Sequence, residues 1–349
     1  MASGDGGAPH ADAPEDSGVV VAMATYKRPE ELARTLRTVL GQIDASGFPA
    51  RVQVVDNDAA ASAAGVIDEL ADPRVRYVVE PTPGIAAARN RALDEAADDR
   101  VLIFIDDDED PQPGWLAAIV QVYRDRRPVG VVGPVVSEFD GPLDDWIKQG
   151  GFFERRRLAT GTAIEAAATN NLLLDLTSIR SMGLRFDQKF GLSGGSDTLF
   201  TRQLTGGGGQ LVWCDQAVVV DHVPTDRMTR DWVLKRAMRY GNSWSRTSLA
   251  LAPTPASRFG TRVAMIGRGV IRIGAGGARF LVGVVTRSTR HEARGRRTLM
   301  KGVGYPGSGA YLRVSLREKR KCLSYRDNDT WRTGNGTRRS AAPRRVGYA

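Results

Sequence analysis

Val101-Leu102-Ile103-Phe104-Ile105-Asp106-Asp107-Asp108 is an apolar run that stops abruptly in three acids. A short run rich in β-branched residues reads as a buried strand of a parallel sheet. In open α/β sheets ligands gather at the carboxyl ends of the strands, so the acids stand where a ligand would. Adjacent carboxylates repel one another and are costly to crowd without a cation. Hard oxygen donors select Mg2+ or Mn2+, and both ions favour the oxygens of a diphosphate. The competing reading is a solvated acidic turn, since Asp is common after strands.

Outward from this strand, strand-like and helix-like segments alternate. Val19–Ala24 reads as a strand, and Pro29 to Leu40 as a helix with Leu32, Leu36, Val39 and Leu40 on one face and Pro29 in its first turn. Strand Val52–Val55, helix Ala61–Leu70, strand Val75–Val79, helix Ile85–Ala97, helix Gly114–Tyr123 and strand Val129–Val136 complete the series. Alternation of this kind predicts βαβ units, a mostly parallel sheet and helices on both faces. The first strand ends in Ala24-Thr25-Tyr26-Lys27-Arg28-Pro29, the second in Asp56-Asn57-Asp58, and the third unit opens with Pro83-Gly84-Ile85-Ala86-Ala87-Ala88-Arg89-Asn90. Asp and Asn can meet the edge of a base, and a guanidinium at Arg89 suits a phosphate. Each of these motifs alone reads as ordinary turn or surface chemistry; together, four loops converge on one sheet edge.

Beyond Gly141 the pattern loosens. Leu172–Leu174, Leu211–Trp213 and Ala217–Val220 read as strands, Leu199–Leu204 as the start of a helix broken at Gly206–Gly209, and Arg230–Arg246 as a long helix. Residues 1–18 read as a disordered leader without the apolar region of a signal peptide, and residues from about 326 as a disordered tail. Two cysteines, Cys214 and Cys322, exclude a disulfide framework and favour a reducing compartment. The formal net charge is +9, yet residues 256–349 hold 22 Lys and Arg against 4 Asp and Glu. Residues 1–255 therefore carry −9. The basic character belongs to an extension fit to meet a polyanion, not to the part with the aspartates. No stretch approaches the roughly 18 apolar residues of a membrane-spanning helix.

The ordered set of motifs, from Ala-Thr-Tyr-Lys-Arg-Pro at Ala24 to Phe-Ile-Asp-Asp-Asp at Phe104, resembles the family 2 glycosyltransferases of the GT-A fold. Within that family it is most similar to the succinoglycan-type sugar transferases of bacteria, over about Val19 to Arg246. The resemblance implies an α/β, Rossmann-like catalytic domain over 19–255, with a nucleotide-sugar half (19–140) and an acceptor half (141–255). A basic helical extension, 256–325, then follows. It implies a UDP-sugar donor, Mg2+ or Mn2+, inversion at the anomeric carbon, and a glycan, lipid-linked or small-molecule acceptor. Donor contacts are expected from Thr25, Tyr26, Arg28, Asp56, Asn57, Arg89, Asp106 and Asp107, with Asp107 near the ribose. Many family members have a second Asp where this chain has Asn57. The metal is expected on Asp108, with His222 as a further ligand or phosphate contact.

Gly194-Gly195-Ser196-Asp197 resembles the family's Gly-Gly-Glu-Asp, whose Asp is the general base; here Ser196 replaces Glu and leaves Asp197 as the acid. The chemistry needs one carboxylate beside the acceptor hydroxyl. The alternative is that Asp197 caps the following helix. Arg236 and Arg239 lie where longer members carry Gln-x-x-Arg-Trp, and read either as diphosphate or acceptor contacts or as a solvated helix face. Thr169-Asn170-Asn171 reads as an acceptor-side polar cluster, with Gly195 and Ser196 beside it. Two strings are decoys. Gly191-Leu-Ser193-Gly-Gly195 lacks the strand a hydrolase elbow requires, and Gly302-Val-Gly304-Tyr-Pro-Gly307 follows no strand. The Asn328 and Asn335 sequons lie idle without a secretory signal. The extension reads as either a membrane-surface anchor, placing the enzyme in the cytoplasm on the inner face of the plasma membrane, or a solvated basic segment. No nucleic acid partner is expected. Rival functions are a sugar-phosphate nucleotidyltransferase and a non-catalytic nucleotide-sugar-binding protein.

Overall fold

The computed structural model describes residues 18–306. Most of the expected leader, Cys322, the polar tail and both sequons lie outside the described residues. The chain runs β1 (Val19–Thr25), α1 (Pro29–Ser46), β2 (Ala50–Asp56), α2 (Ala64–Leu70), β3 (Val75–Val79), α3 (Ile85–Glu95), β4 (Val101–Asp106), β5 (Glu109–Pro111) and α4 (Trp115–Arg126). It continues with β6 (Gly130–Val132), β7 (Val135–Phe139), α5 (Asp145–Gly150), β8 (Ala163–Ile164), β9 (Asn171–Asp175), α6 (Leu176–Ser181) and α7 (Ser196–Gly206). The last elements are β10 (Leu211–Trp213), β11 (Val219–Val223), α8 (Arg230–Leu251), α9 (Pro255–Val285) and α10 (Thr289–Gly304).

Eight strands form one sheet in the order β3-β2-β1-β4-β9-β6-β10-β8. β1 pairs in parallel with both β2 and β4, and β9 runs antiparallel between β4 and β6. Side chains alternate across the sheet, and the core divides accordingly. Val19, Val21, Met23, Ile103 and Ile105 face the layer of α1 and α4. Val20, Ala22, Leu102 and Phe104 face the layer of α3, α6 and α7. The expected α/β architecture with helices on both faces is the one found. α1 buries the predicted stripe of Leu32, Leu36, Val39 and Leu40, opens with Pro29, and closes on Gly47 at φ 69°.

Register explains the site. Thr25 lies opposite Asp56, and Ala24 opposite Asp106, so three strand ends reach the same edge in step. A second, three-stranded sheet, β5-β11-β7, stands beside that edge. It exists because the single strand expected over Val129–Val136 is broken at Gly133-Pro134. β6 stays in the large sheet and β7 crosses to the small one. Pro134 has no N–H for a ladder. A Cβ on Gly133 would lie 2.2 Å from the Ala217 carbonyl oxygen, a distance no side chain tolerates.

The extension after residue 255 is helical, as expected, over the described residues. Its apolar pieces join into one 31-residue helix, α9, which folds back on α10. Glycines make the close approach: on α9, Gly269 and Gly276 meet Gly302 and Gly295 of α10, each pair spaced by seven, and Gly283, seven further on, meets the Glu292 backbone. A Cβ on Gly276 would sit 2.5 Å from the Leu299 nitrogen, and one on Gly295 2.4 Å from the Phe280 nitrogen. α10 also packs on α8, where a Gly241 Cβ would stand 2.1 Å from the Lys301 carbonyl oxygen. Arg297 donates to the Gly150 carbonyl at 3.1 Å and Arg294 to that of Gln149 at 3.1 Å, capping the C-terminus of α5 with cations. The expected boundary at 255/256 thus falls in the first turn of a hairpin fastened to α8 and α5. Among the described residues no helix is long and apolar enough to cross a membrane.

Candidate active site

β4 delivers the acids and the turn after it sorts them. Asp107 turns inward and is 5% exposed. Its Oδ2 accepts from the Thr25 hydroxyl at 2.7 Å, and its carbonyl accepts from the Thr35 hydroxyl at 3.0 Å. Burial pushes its carboxyl up to about 6, against the pull of Thr25 and Arg28. Arg28 lies across two acids, 3.3 Å from Asp107 and 2.8 Å from Asp108. Asp106 points the other way, toward Arg89, its side chain still 44% open. Desolvation by the groups packed around its covered side pushes it up to about 6; Arg89, 3.8 Å away, opposes the shift, and Asp108, Asp197 and Asp221 add to it. Arg89 is held for this purpose between Asp106 and the Phe186 ring, 5.7 Å from its centroid.

Asp197 reaches the same charge cluster from α7. Gly194 and Gly195 have φ of 80° and 95°, left-handed values that glycine adopts without strain and that let the chain turn into the helix. Gly195 occupies the N-cap and Asp197 the first turn, so the acid is not the cap. Its Oδ1 accepts from the Thr198 backbone at 2.7 Å. Ser196, in the place of the family's Glu, is buried. The helix face against this loop belongs to the later part of α8: a Cβ on Gly195 would lie 3.4 Å from Ser243 and 3.5 Å from Thr247. Arg236 and Arg239, expected here, lie earlier on α8, stacked on Trp232 at 5.2 and 5.6 Å. Arg236 donates to the Tyr240 hydroxyl at 3.0 Å.

The loops after β1 and β2 are tightly tied. Asp56 is fully buried and accepts from the Asp58 and Ala63 backbones at 3.0 and 2.8 Å and from the Tyr77 hydroxyl at 2.9 Å. Asn57 donates to the carbonyls of Glu80 and Thr82 at 2.9 and 2.7 Å and accepts from Gly84 N–H at 2.8 Å. Its amide thereby holds the loop before α3, and an Asp there could not make the two donations. Tyr26 stands 43% exposed on the neighbouring loop.

Several contributors were missed in the sequence. The acidic run does not stop at Asp108 but continues through Glu109 and Asp110. Glu109, 1% exposed, accepts from the Asp106 N–H at 3.2 Å and from Asn170 at 2.6 Å. Burial, then Asp106, holds its carboxyl well above the usual range. Asp110 meets His222 Nε2 at 2.6 Å, so His222 is tied to a carboxylate. Asp221, opposite Glu109 in the small sheet, is paired with Arg155. Contiguity could have found Glu109 and Asp110; nothing in the sequence links Arg155 to Asp221. Asn171 is not at the site: it is 1% exposed, accepts from the Trp115 indole at 2.9 Å and donates to the Pro134 and Ala217 carbonyls. It braces the break between the two sheets.

A divalent ion fits this donor set in part. The ligands available are hard oxygens, and Asp106, Glu109, Asp197 and Asp221 outnumber the arginines set against them. Among the described residues, however, no three His, Cys, Asp or Glu side chains converge on one point. An ion held by Asp106 and Asp108 would take the rest of its shell from phosphate oxygens and water, as Mg2+ and Mn2+ commonly do.

Residues 20–186 match the pattern of Glycosyl transferase family 2. The succinoglycan biosynthesis protein ExoM of Rhizobium meliloti (strain 1021) is 32% identical over 229 residues, 65% of this chain and 74% of that protein. Among solved structures, S. aureus TarS 1-349 in complex with UDP-GlcNAc is similar at a TM-score of 0.48 and 12% identity, over 81% of this chain and 92% of that one. GalNAc-T7 with UDP, GalNAc and Mn2+ is similar at 0.49 and 12%, over 69% and 52%.

Proposed function

The chain belongs to glycosyl transferase family 2 and is a glycosyltransferase, and on that premise we propose that it moves a sugar, with inversion, from a UDP-sugar to a glycan or lipid-linked hydroxyl in polysaccharide biosynthesis. The observation that carries this reading is the meeting of Asp106, Asp108 and Asp197 at one cleft, with Arg28 and Arg89 as its nearest cations. The base would lie against Thr25, Tyr26 and the loop that Asn57 holds open. The relative's role in succinoglycan biosynthesis favours a growing saccharide as acceptor.

Asp106 and Asp108 would hold Mg2+ or Mn2+, which as a Lewis acid would ease departure of the nucleoside diphosphate. Arg28 now sits on Asp108 and Arg89 on Asp106; both guanidiniums are free of backbone duty and suited to turn toward phosphate oxygens. Asp197 takes the proton of the attacking hydroxyl while that oxygen bonds the anomeric carbon from the face opposite the leaving group. Asp197→Asn keeps the shape and removes the base. It is expected to lower transfer by about 10²–10⁴-fold while nucleotide binding survives; turnover near the wild-type rate would end the assignment.

A further inference from the structure

The longest helix of the described chain buries almost nothing on one side. Phe259, Val263, Ile266, Val270, Leu281 and Val284 recur along α9 at intervals of three, four and eleven, so they line one face. They are exposed: Phe259 by 71%, Val270 by 62% and Leu281 by 60%. Gly277 fills the gap in that line, and the stripe carries no side chain able to hydrogen-bond. At 1.5 Å per residue α9 is about 46 Å long. Monomeric proteins seldom leave so long an apolar face uncovered.

The charge around the stripe is of one sign. α9 contains Arg258, Arg262, Arg268, Arg272 and Arg279 and no acid, and α10 adds four arginines and Lys301 against Glu292 alone. Arg258, Arg262 and Arg268 are exposed. Long cationic side chains beside an apolar face can lay their stems along an acyl layer and hold their heads among phosphates. Stacking two such hairpins would set arginines against arginines. Residues 307–349 have eleven Lys and Arg against three acids, so their charge also opposes covering this face. The hairpin is rigidly mounted, through the glycine contacts with α10 and the caps on α5, so its face is presented as a fixed platform.

We propose that the exposed face of α9 docks the enzyme on an anionic lipid bilayer, lying in the headgroup layer rather than spanning it. This is independent of the acidic cleft. The test is flotation of the full chain with vesicles of phosphatidylcholine alone or with about 30% phosphatidylglycerol. A variant carrying Phe259→Ser, Val270→Ser and Leu281→Ser, which leaves charge unchanged, is run beside it. The wild type should bind the anionic vesicles about tenfold better than the neutral ones, and the variant should lose about tenfold on the anionic ones. The variant's melting temperature and its stabilisation by nucleotide should stay at wild-type values. Equal binding to both vesicles, no binding, or a variant that floats like the wild type would overturn the proposal; the last would assign docking to charge alone. So would a wild type that is dimeric and a variant that is monomeric with neither bound to vesicles, since a second copy would then be the cover.

Discussion

At the carboxyl edge of the large sheet, acids from β4, β5, α7 and β11 crowd into one cleft with few cations; on α9, arginines flank an apolar face with no acid at all. The first region concentrates unfavourable charge by building it on rigid strands in register. The second disperses charge along a helix whose support is backbone contact between glycines. Both are unbalanced in isolation, and the imbalance points in each case to something outside the chain: a divalent cation with a diphosphate for one, an anionic layer for the other. The lesson is that an uncompensated feature on a well-braced element is a better pointer to function than a compensated one. Asn57 and Asn171, whose amides are committed to backbone or indole partners, show the opposite case.

The comparison breaks most visibly if the two regions prove coupled. Asp108→Ala should weaken metal-dependent nucleotide binding by about 10–100-fold while leaving vesicle flotation unchanged, read by titration calorimetry with and without Mn2+. Gly276→Val is the reciprocal change. Its side chain would enter a space where even a Cβ meets the Leu299 nitrogen at 2.5 Å, so the protein should lose about 1–3 kcal/mol in denaturant unfolding. Nucleotide affinity of the folded fraction should hold. A loss of nucleotide binding equal to the loss of stability would mean that the hairpin is part of the cleft.

A smaller effect sharpens the electrostatics. Asp106 and Asp107 are both pushed up to about 6 from 3.8. A carboxyl whose folded value is raised binds its proton more tightly when folded. Its ionisation therefore costs stability, fully above the folded value and not at all below the unfolded one. Asp106→Asn removes that cost for one group. The variant should melt higher than the wild type at about pH 7.5 without metal, and the difference should shrink as pH falls through about 6 and close below about 3.8. A difference that is constant across that range would mean Asp106 is freely solvated.

Much of the first region was legible because its signals are local. The alternation of β1 to β4 with α1 to α3, the stripe of α1 and the acids after Ile105 all follow from spacing within one element. What escaped depended on partners distant in the chain. Arg155 finds Asp221 and Asn171 finds Trp115 only through the fold. β5 and β7 are too short to show a period, and their sheet exists because Gly133-Pro134 breaks a strand that composition would continue. The extension was expected to be helical, but the glycine seam of α9 was not read. Its glycines read as helix breakers by propensity, yet at intervals of seven they are the surface on which α10 lies. Arg236 and Arg239 lie on the expected helix, stacked on Trp232, while Ser243 and Thr247, which no motif marked, face the Gly195 turn.

The most direct test of the central claim is thermal stabilisation by nucleoside diphosphates and nucleotide sugars, each with and without Mn2+, in the wild type and in Asp108→Ala. The account predicts a shift with uridine nucleotides that requires the metal and vanishes in the variant, about 2.7 kcal/mol of stabilisation at a hundredfold excess over Kd. A shift that is indifferent to the metal, or identical in Asp108→Ala, would contradict the assignment of the acidic edge as the donor site.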